Sequence, residues 1–410
     1  MEPTLTAPSK PHSQNWRFLM VLFSVSTFLE LSAWGHLQAF TPLYLKEQLG
    51  VSPEDVPSWT GILASSSLII AVPLSPFWGV LADRYSRKAV IIRSQLVEAV
   101  AYGLAAMCHD ANQFLAVRLL LGFSYGNMAV AMATQSMVTP SRQVGTAIGI
   151  IQMASTVASS VGPLLGTVLI NSFGIRAMFA VDAASTLTAA LLLTIFFREP
   201  PVHDRTTPLG EKLKVVFDQV IRVPSVRWNF VCWFLIYAGV AAIDPFLPVL
   251  IDHLAGSADS VTIIGTLLAV YGTLTALGTP VMGRLADRVG AARLFLMAAP
   301  ALAMIAAGIG LAPSLATLAV LMMVRAIPQA STAVVLYSHL AAHVPAQHRA
   351  AVMSLTPMPR NVAWLVAPGL AGAAAAGLGL SGSFCLAAGL FSGATVVAVL
   401  MLRASKPTPA

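Results

Sequence analysis

The 410-residue chain runs as long, uninterrupted apolar stretches separated by short polar breaks. Twelve stretches are present, at about 17–40, 58–80, 89–108, 112–136, 145–171, 175–197, 229–251, 261–282, 293–311, 314–338, 350–374 and 380–402. Each is long enough, as helix, to cross ~30 Å of hydrocarbon at ~1.5 Å per residue. The runs are continuous rather than alternating, which excludes membrane strands. Gly and Pro within them argue little against helix, because membrane helices tolerate both. The pattern predicts an all-α membrane protein with twelve transmembrane helices.

The pattern also repeats. Gly79-Val80-Leu81-Ala82-Asp83-Arg84 returns as Gly283-Arg284-Leu285-Ala286-Asp287-Arg288, 204 residues later. Arg118 and Arg325 are 207 apart, Pro163 and Pro368 are 205 apart, and Pro42–Gly50 matches Pro248–Gly256 at 206. Nearly one offset at four places predicts two parallel, pseudo-symmetric six-helix bundles, 17–197 and 229–403. Polar tails, 1–16 and 404–410, flank them. The connection 198–228 carries Leu209, Leu213, Val216, Phe217, Val220 and Ile221 at helical spacing, which predicts an amphipathic helix on the membrane surface.

Composition agrees with membrane residence. Only 10% of residues are charged, against ~25% in soluble domains. The net charge of +7 does not signal nucleic acid, because the cations sit in short loops. Alternate loops hold nearly all the Lys and Arg, and the opposite set holds only Lys46 and Arg176. The bias predicts a multi-pass membrane protein with both termini cytoplasmic. Cys108, Cys232 and Cys385 lie far apart in apolar runs and read as buried hydrophobes rather than metal ligands or a disulfide framework. No phosphate loop, nucleophile–base set or metal cluster occurs, so neither an enzyme nor a bound cofactor is expected.

These residues resemble the major facilitator superfamily over essentially the whole chain, and within it the twelve-span drug:proton antiporters. The loop signature between spans two and three is matched by Gly79, Leu81, Ala82, Asp83, Arg84, Arg87 and Lys88, with Ser86 in place of a second Gly. The second copy keeps Gly283, Asp287, Arg288 and Gly290, but Ala291 and Ala292 replace the basic pair. The fourth-span Arg with following glycines is matched by Arg118, Gly122 and Gly126. The exporters' fifth-span element is matched by Gly162, Pro163 and Gly166, while Ala158 and Thr167 stand where the pattern prefers Gly. The resemblance implies alternating access, residence in the cell (inner) membrane and a monomer, with a small-molecule substrate, protons and the lipid bilayer as partners. The leading expectation is proton-coupled efflux of drugs or other amphipathic molecules. Export of one metabolite, such as a siderophore or natural product, is the alternative, followed by import.

Within that frame Gly79, Asp83, Arg84, Arg87, Lys88, Gly283, Asp287 and Arg288 are expected to form a cytoplasmic gate, a carboxylate facing the positive N-terminal end of the eleventh helix. A plain positive-inside loop explains the cations but not the repeated Gly and Asp. Arg118 and Arg325 lie at membrane depth, where a cation costs ~2.5–3.5 kcal/mol on insertion scales and needs a partner. Glu30 is the expected partner of Arg118 and the first candidate for proton coupling. A static pair that fixes packing is the alternative. Asp244, Glu98 and Asp182 are further coupling candidates. His36, Gln38, Tyr125, Asn127, Gln152, Tyr237, Gln329, Tyr337, Asn361 and Trp364 are candidates for the cavity wall. The resemblance has spans one, four, seven and ten line it, with five and eleven beside them.

Overall fold

A computed structural model describes residues 15–199, 224–256, 259–344, 352 and 356–404. Among them twelve helical segments are long and apolar enough to cross a membrane. The first six are Trp16–Glu47, Val56–Arg84, Arg87–Met107, Ala111–Val138, Val144–Phe173 and Ile175–Phe196. The seventh is Pro224–Ile243 continued by Leu247–Ala255, and the remainder are Ser260–Val289, Ala291–Gly310, Leu315–His343, Pro357–Leu378 and Ser381–Ala404. The expected linker helix, 209–222, lies outside the described residues.

Local chemistry sets the ends. Ser86, Asp110, Asp259 and Ser314 are N-caps whose side chains accept from backbone N–H groups one turn in. Two spans are interrupted. The fourth passes through a short tight turn, Gly122–Ser124, before restarting at Asn127. Gly126 there has φ of 100°, open to glycine at little cost. The seventh breaks at Asp244–Phe246, where Pro245 and Pro248 cannot donate to the preceding turn.

Each half packs its own interior. Tyr44, Phe114 and Phe179 cluster in the first, with centroids 5.0–6.0 Å apart, and the Tyr44 hydroxyl donates to the Ala105 carbonyl at 2.6 Å. Trp233, Phe295, Phe384 and Phe391 are buried in the second. Ile195, Met297, Met304 and Val320 point outward and are exposed, as expected of surfaces wetted by lipid.

The halves meet along two helix pairs, the second span against the eleventh and the fifth against the eighth. The close approach uses one contact twice. A methyl group added at Gly61 would strike the Pro368 carbonyl oxygen, and one added at Gly265 would sit 2.8 Å from the Pro163 carbonyl oxygen. The glycines are 204 residues apart and the prolines 205, so this is the sequence repeat realised as an interface.

Candidate functional site: an inter-half cavity and membrane-depth charges

The face bearing the N-terminal end of span one carries most of the loop Lys and Arg among the described residues, and will be called the basic face. Toward the opposite face, polar contacts join the halves. Lys46 Nζ lies 2.7 Å from Asp252 Oδ2, and these two positions are themselves 206 apart. The Thr167 hydroxyl donates to the Val261 carbonyl at 3.2 Å, Asn171 reaches Thr262 at 3.0 Å, and the Gly369 N–H donates to Ser65 at 3.1 Å. Thr167, a departure from the exporter pattern, thus serves as an inter-half donor. At the basic face the repeated phrase is loose. A methyl group at Gly79 would meet nothing within 4 Å, and one at Gly283 only Val334 of its own half.

Between the halves lies a cavity of ≈ 460 Å³, within the ~300–1,000 Å³ of small-molecule sites. Its walls come from spans one, five, seven, eight and eleven, including Trp34, Gln38, Ser160, Asp244, Tyr271 and Trp364. Gln38 and Trp364 were among the sequence candidates. Trp34 and Tyr271 were not. Trp34 lies four residues before Gln38 and so shares its helical face, a signal available in the sequence. Tyr271 was missed because span eight, not span four or ten, closes this wall.

Asp244 is the charged residue of that lining. Its Oδ1 lies 2.8 Å from Arg325 Nη2, an ion-pair distance, though the groups are off the line of a hydrogen bond. The Arg325 guanidinium carbon sits 5.2 Å from the Tyr271 ring centre, a cation–π distance. The order from the cavity inward is therefore carboxylate and ring, then guanidinium.

The other half arranges its charges differently. Arg118 does not pair with Glu30, as the depths of the two residues had suggested. Its Nε donates to the Leu63 carbonyl at 2.9 Å, and its guanidinium lies 5.5 Å from the Trp34 ring centre. Glu30 Oε2 instead accepts from Gln95 and Asn127, both at 2.7 Å. Glu98 is buried in the same cluster beside Ser124 and within electrostatic range of Glu30 and Arg93. Arg93 donates to the Tyr125 carbonyl at 2.9 Å and stacks 3.3 Å over Trp78.

His36 is turned away from the cavity. Its Nδ1 is 2.7 Å from Asp182 Oδ1, and both residues are buried. The structure thereby joins two residues that the sequence presented separately. Asn127 is likewise committed to Glu30. Tyr125 packs edge-on against Trp34 at 6.1 Å, while Tyr237 and Tyr337 pack on Trp233 at 6.3 and 4.5 Å. Gln152, Gln329 and Asn361 are also outside the lining.

The fifth-span element works by close packing. A methyl group at Gly166 would sit 2.7 Å from Phe40 and 2.8 Å from His36, and Gly162 faces the Ser32 backbone at 3.4 Å. Pro163 lies inside this helix and faces Gly35. Bulk at either glycine would push spans one and five apart.

Hydrogen bonds of Ser86, the Arg87 N–H and Lys88 lie within their own half. Lys88 donates to the carbonyls of Thr194 and Phe197 at 2.7 and 2.6 Å, capping the sixth span. Ser86 and the Arg87 N–H both donate to Glu199, so a hydroxyl suits the place where the family pattern has Gly. Glu199 was not anticipated from sequence. Arg84 lies near Tyr85 at 5.7 Å, and Asp287 and Arg288 are exposed. The side chain of Asp83 is outside the described ones.

Comparison with known proteins decides the family. The model for the Major Facilitator Superfamily matches residues 23–258 and 230–410, together nearly the whole chain. The chain belongs to the major facilitator superfamily. As a member of that superfamily it is a multi-pass membrane transporter, not an enzyme. It is 31% identical over 290 residues to the multidrug resistance protein MdtG of Salmonella dublin, covering 69% of this chain and 70% of that protein. It is 30% identical over 294 residues to MdtG of Yersinia enterocolitica, covering 70% of each. Among solved structures, the nucleoside transporter NupG superposes with a TM-score of 0.78 at 14% identity, covering 95% of this chain and 100% of that one. A bacterial homologue of the human lysosomal transporter Spinster, inward-facing and unoccupied, gives 0.78 at 18% identity, covering 98% and 100%. At those identities the superpositions speak to the superfamily fold alone.

Proposed function

We propose that this transporter exports drugs or similar amphipathic small molecules by proton-coupled alternating access. The observation that carries the proposal is a membrane-depth cavity between two halves whose polar crossings, among the described residues, gather on one side. The loop cations assign that closed side to the outside and the basic face, with both termini, to the cytoplasm. The described state is then inward-facing, and export requires the Lys46–Asp252 side to open while the repeated phrases close. The likeness to MdtG supports a drug-like cargo.

The coupling proton belongs to the Glu30–Glu98 cluster. Hydrogen-bond accounting supports this. Gln95 gives its amide hydrogens toward Glu30, leaving its buried Oε1 without a donor, and Glu98 Oε2, three residues along the same helix, also lacks one. A buried acceptor without a donor is costly, and a proton on Glu98 would turn its Oε2 into a donor. Rocking of the halves would alternately hydrate and bury this cluster, loading and releasing the proton.

Proteoliposomes with an imposed pH gradient test this. Cargo-dependent proton flux is expected in the parent protein. Glu30→Gln or Glu98→Gln should abolish gradient-driven accumulation and leave cargo exchange at equal pH intact. Unchanged flux in both variants would sink the coupling assignment, and transport of a single metabolite from a broad panel would replace the drug-efflux reading with that of a dedicated exporter.

A further inference from the structure

Glu30 and Arg360 stand at matching places in opposite halves. Span one carries Glu30 one helical turn before Trp34, and span eleven carries Arg360 one turn before Trp364. Both tryptophans line the inter-half cavity. Both spans run from the basic face toward the closed side, where Pro368 and Gly369 of span eleven meet Gly61 and Ser65. Each charge therefore lies ~6 Å nearer the basic face than its tryptophan. Residues four apart are neighbours on a helix surface, so the two charges border the mouth through which the cavity opens to that face.

Neither charge makes an ion pair among the described residues. Arg360 is exposed and Glu30 is half-buried. Glu30 Oε2 takes the amides of both Gln95 and Asn127, which leaves Oε1 for a further partner. Tyr125 of span four lies within electrostatic range of both Glu30 and Arg360, and Tyr237 of span seven lies within range of Arg360. One ring of the N-terminal half is thus near both charges.

The other groups around Glu30 do not neutralise it. Glu98 and Tyr102 of span three and Tyr125 of span four share its surroundings. Arg93, the cation of that cluster, is already engaged: it donates to Ser94 and to the Tyr125 carbonyl and stacks on Trp78. Arg118 donates to the Leu63 carbonyl beside Trp34.

From this juxtaposition we infer that Arg360 is the counter-ion that the Glu30–Glu98 cluster acquires when the basic face closes, an inter-half latch that forms only after the cluster has lost its proton. The inference rests on the proton-coupled reading above and adds the device that ties the proton to the direction of rocking. Closure of the basic face carries the turns below Trp34 and Trp364 toward each other. With the cluster deprotonated, closure joins opposite charges in a space from which water is leaving, where their attraction strengthens. With the cluster protonated, closure buries the Arg360 guanidinium without a partner, which is costly. The deprotonated carrier therefore closes at the basic face and opens at the other. Proton uptake from that other side releases the latch and lets the basic face reopen. Cargo and proton then move in opposite senses. Arg360 acts here as a positioning residue, since it holds a conformation rather than the cargo.

Distances between spin labels on the basic face test this in the full-length protein in detergent. One label sits at Ser141→Cys in the N-terminal half and one at Val289→Cys in the C-terminal half, both exposed positions. The exposed native thiol is removed as Cys385→Ser, and Cys108 and Cys232 are buried. In the parent, raising the pH from 5 to 9 should shift the population toward the short, closed distance. Arg360→Gln should lower the closed-to-open ratio at pH 9 about tenfold, the loss of one charge-assisted contact, and leave the ratio at pH 5 unchanged. Arg360→Lys keeps the charge and should recover most of the response. Glu30→Gln should stay open at both pH values, and Arg360→Gln added to it should change nothing further.

A parent whose distances ignore pH, an Arg360→Gln response equal to the parent's, or a double variant tenfold below Glu30→Gln would each overturn the latch. Cargo-dependent proton flux in proteoliposomes would then still leave proton coupling in place. If the parent shows neither a pH-dependent distance nor that flux, the coupling proposal fails and the latch fails with it.

Discussion

The two halves share a frame and differ in their charges. In the N-terminal half, Arg118 is met by a backbone carbonyl and an aromatic face, and three acids lie in the interior, Glu30 with two amides, Asp182 with an imidazole and Glu98 beside Ser124. In the C-terminal half, Arg325 is paired to Asp244 at the cavity wall. The positions that pack the halves together repeat, as Gly61 against the Pro368 carbonyl and Gly265 against the Pro163 carbonyl show. Close backbone approach tolerates no substitution by a larger residue, so both copies keep glycine. A polar side chain has several ways to be satisfied, so the polar interiors of two similar halves can diverge.

Replacing the two arginines should expose this difference most strongly. Arg325→Met leaves Asp244 without its counter-ion. Breaking a buried pair costs ~3–5 kcal/mol, and the partial exposure of Asp244 reduces this to about 2. Arg118→Met gives up a carbonyl contact and should cost about 1 kcal/mol or less. Thermal unfolding in detergent compares them directly. Equal losses would mean that the halves hold their arginines in the same way.

The shared frame predicts the opposite outcome at its glycines. Gly61→Ala and Gly265→Ala should each destabilise the closed side by ~1–3 kcal/mol through overpacking. Labelling of a cysteine placed at Asn171, read from the Lys46–Asp252 side, should rise in both. A response in only one would show that the pseudo-symmetric contact is used unequally.

Smaller effects are expected at helix ends. Lys88→Ala removes the cation that caps span six and should cost ~0.3–1 kcal/mol, seen as faster hydrogen exchange around Thr194–Phe197. The equivalent loop of the second half has Ala291 and Ala292 and offers no corresponding cation. Asp259, just before span eight, accepts from Thr262 through both its backbone N–H and its hydroxyl, and this holds its carboxyl below the usual carboxylate range. A depressed carboxyl contributes stability above its unfolded pKa of ~3.9, and that contribution is lost as pH falls through the lower folded value. Melting curves between pH 6 and pH 3 should therefore show a small acid-side loss that Asp259→Asn reduces. Asp259→Asn with an unchanged acid limb would remove this cap from the account.

Much of the frame was legible in the sequence because continuous apolar runs and repeated offsets are one-dimensional signals. The repeated phrases at Gly79 and Gly283, with Pro163 and Pro368, announced the duplication. The site was less legible. Glu30 and Arg118 were matched by depth, yet Glu30 meets Gln95 and Asn127. His36 was assigned to the cavity, yet it faces Asp182 while Trp34 and Gln38, on the same helix, face the cavity. A polar residue in an apolar run reveals that it needs a partner, without naming the helix that supplies it.

The sequence by itself determined that this chain crosses a membrane twelve times, that its halves repeat, and roughly how deep each charge lies. A helix rises ~1.5 Å per residue whatever surrounds it, so depth follows from position. Tertiary structure decided the azimuth of each helix, and with it every pairing: Asp182 with His36, Asp244 with Arg325, Glu30 with two amides. Rotation about a helix axis is set by the packing of glycines, rings and prolines on neighbouring helices, and that information is spread over residues far apart in the chain.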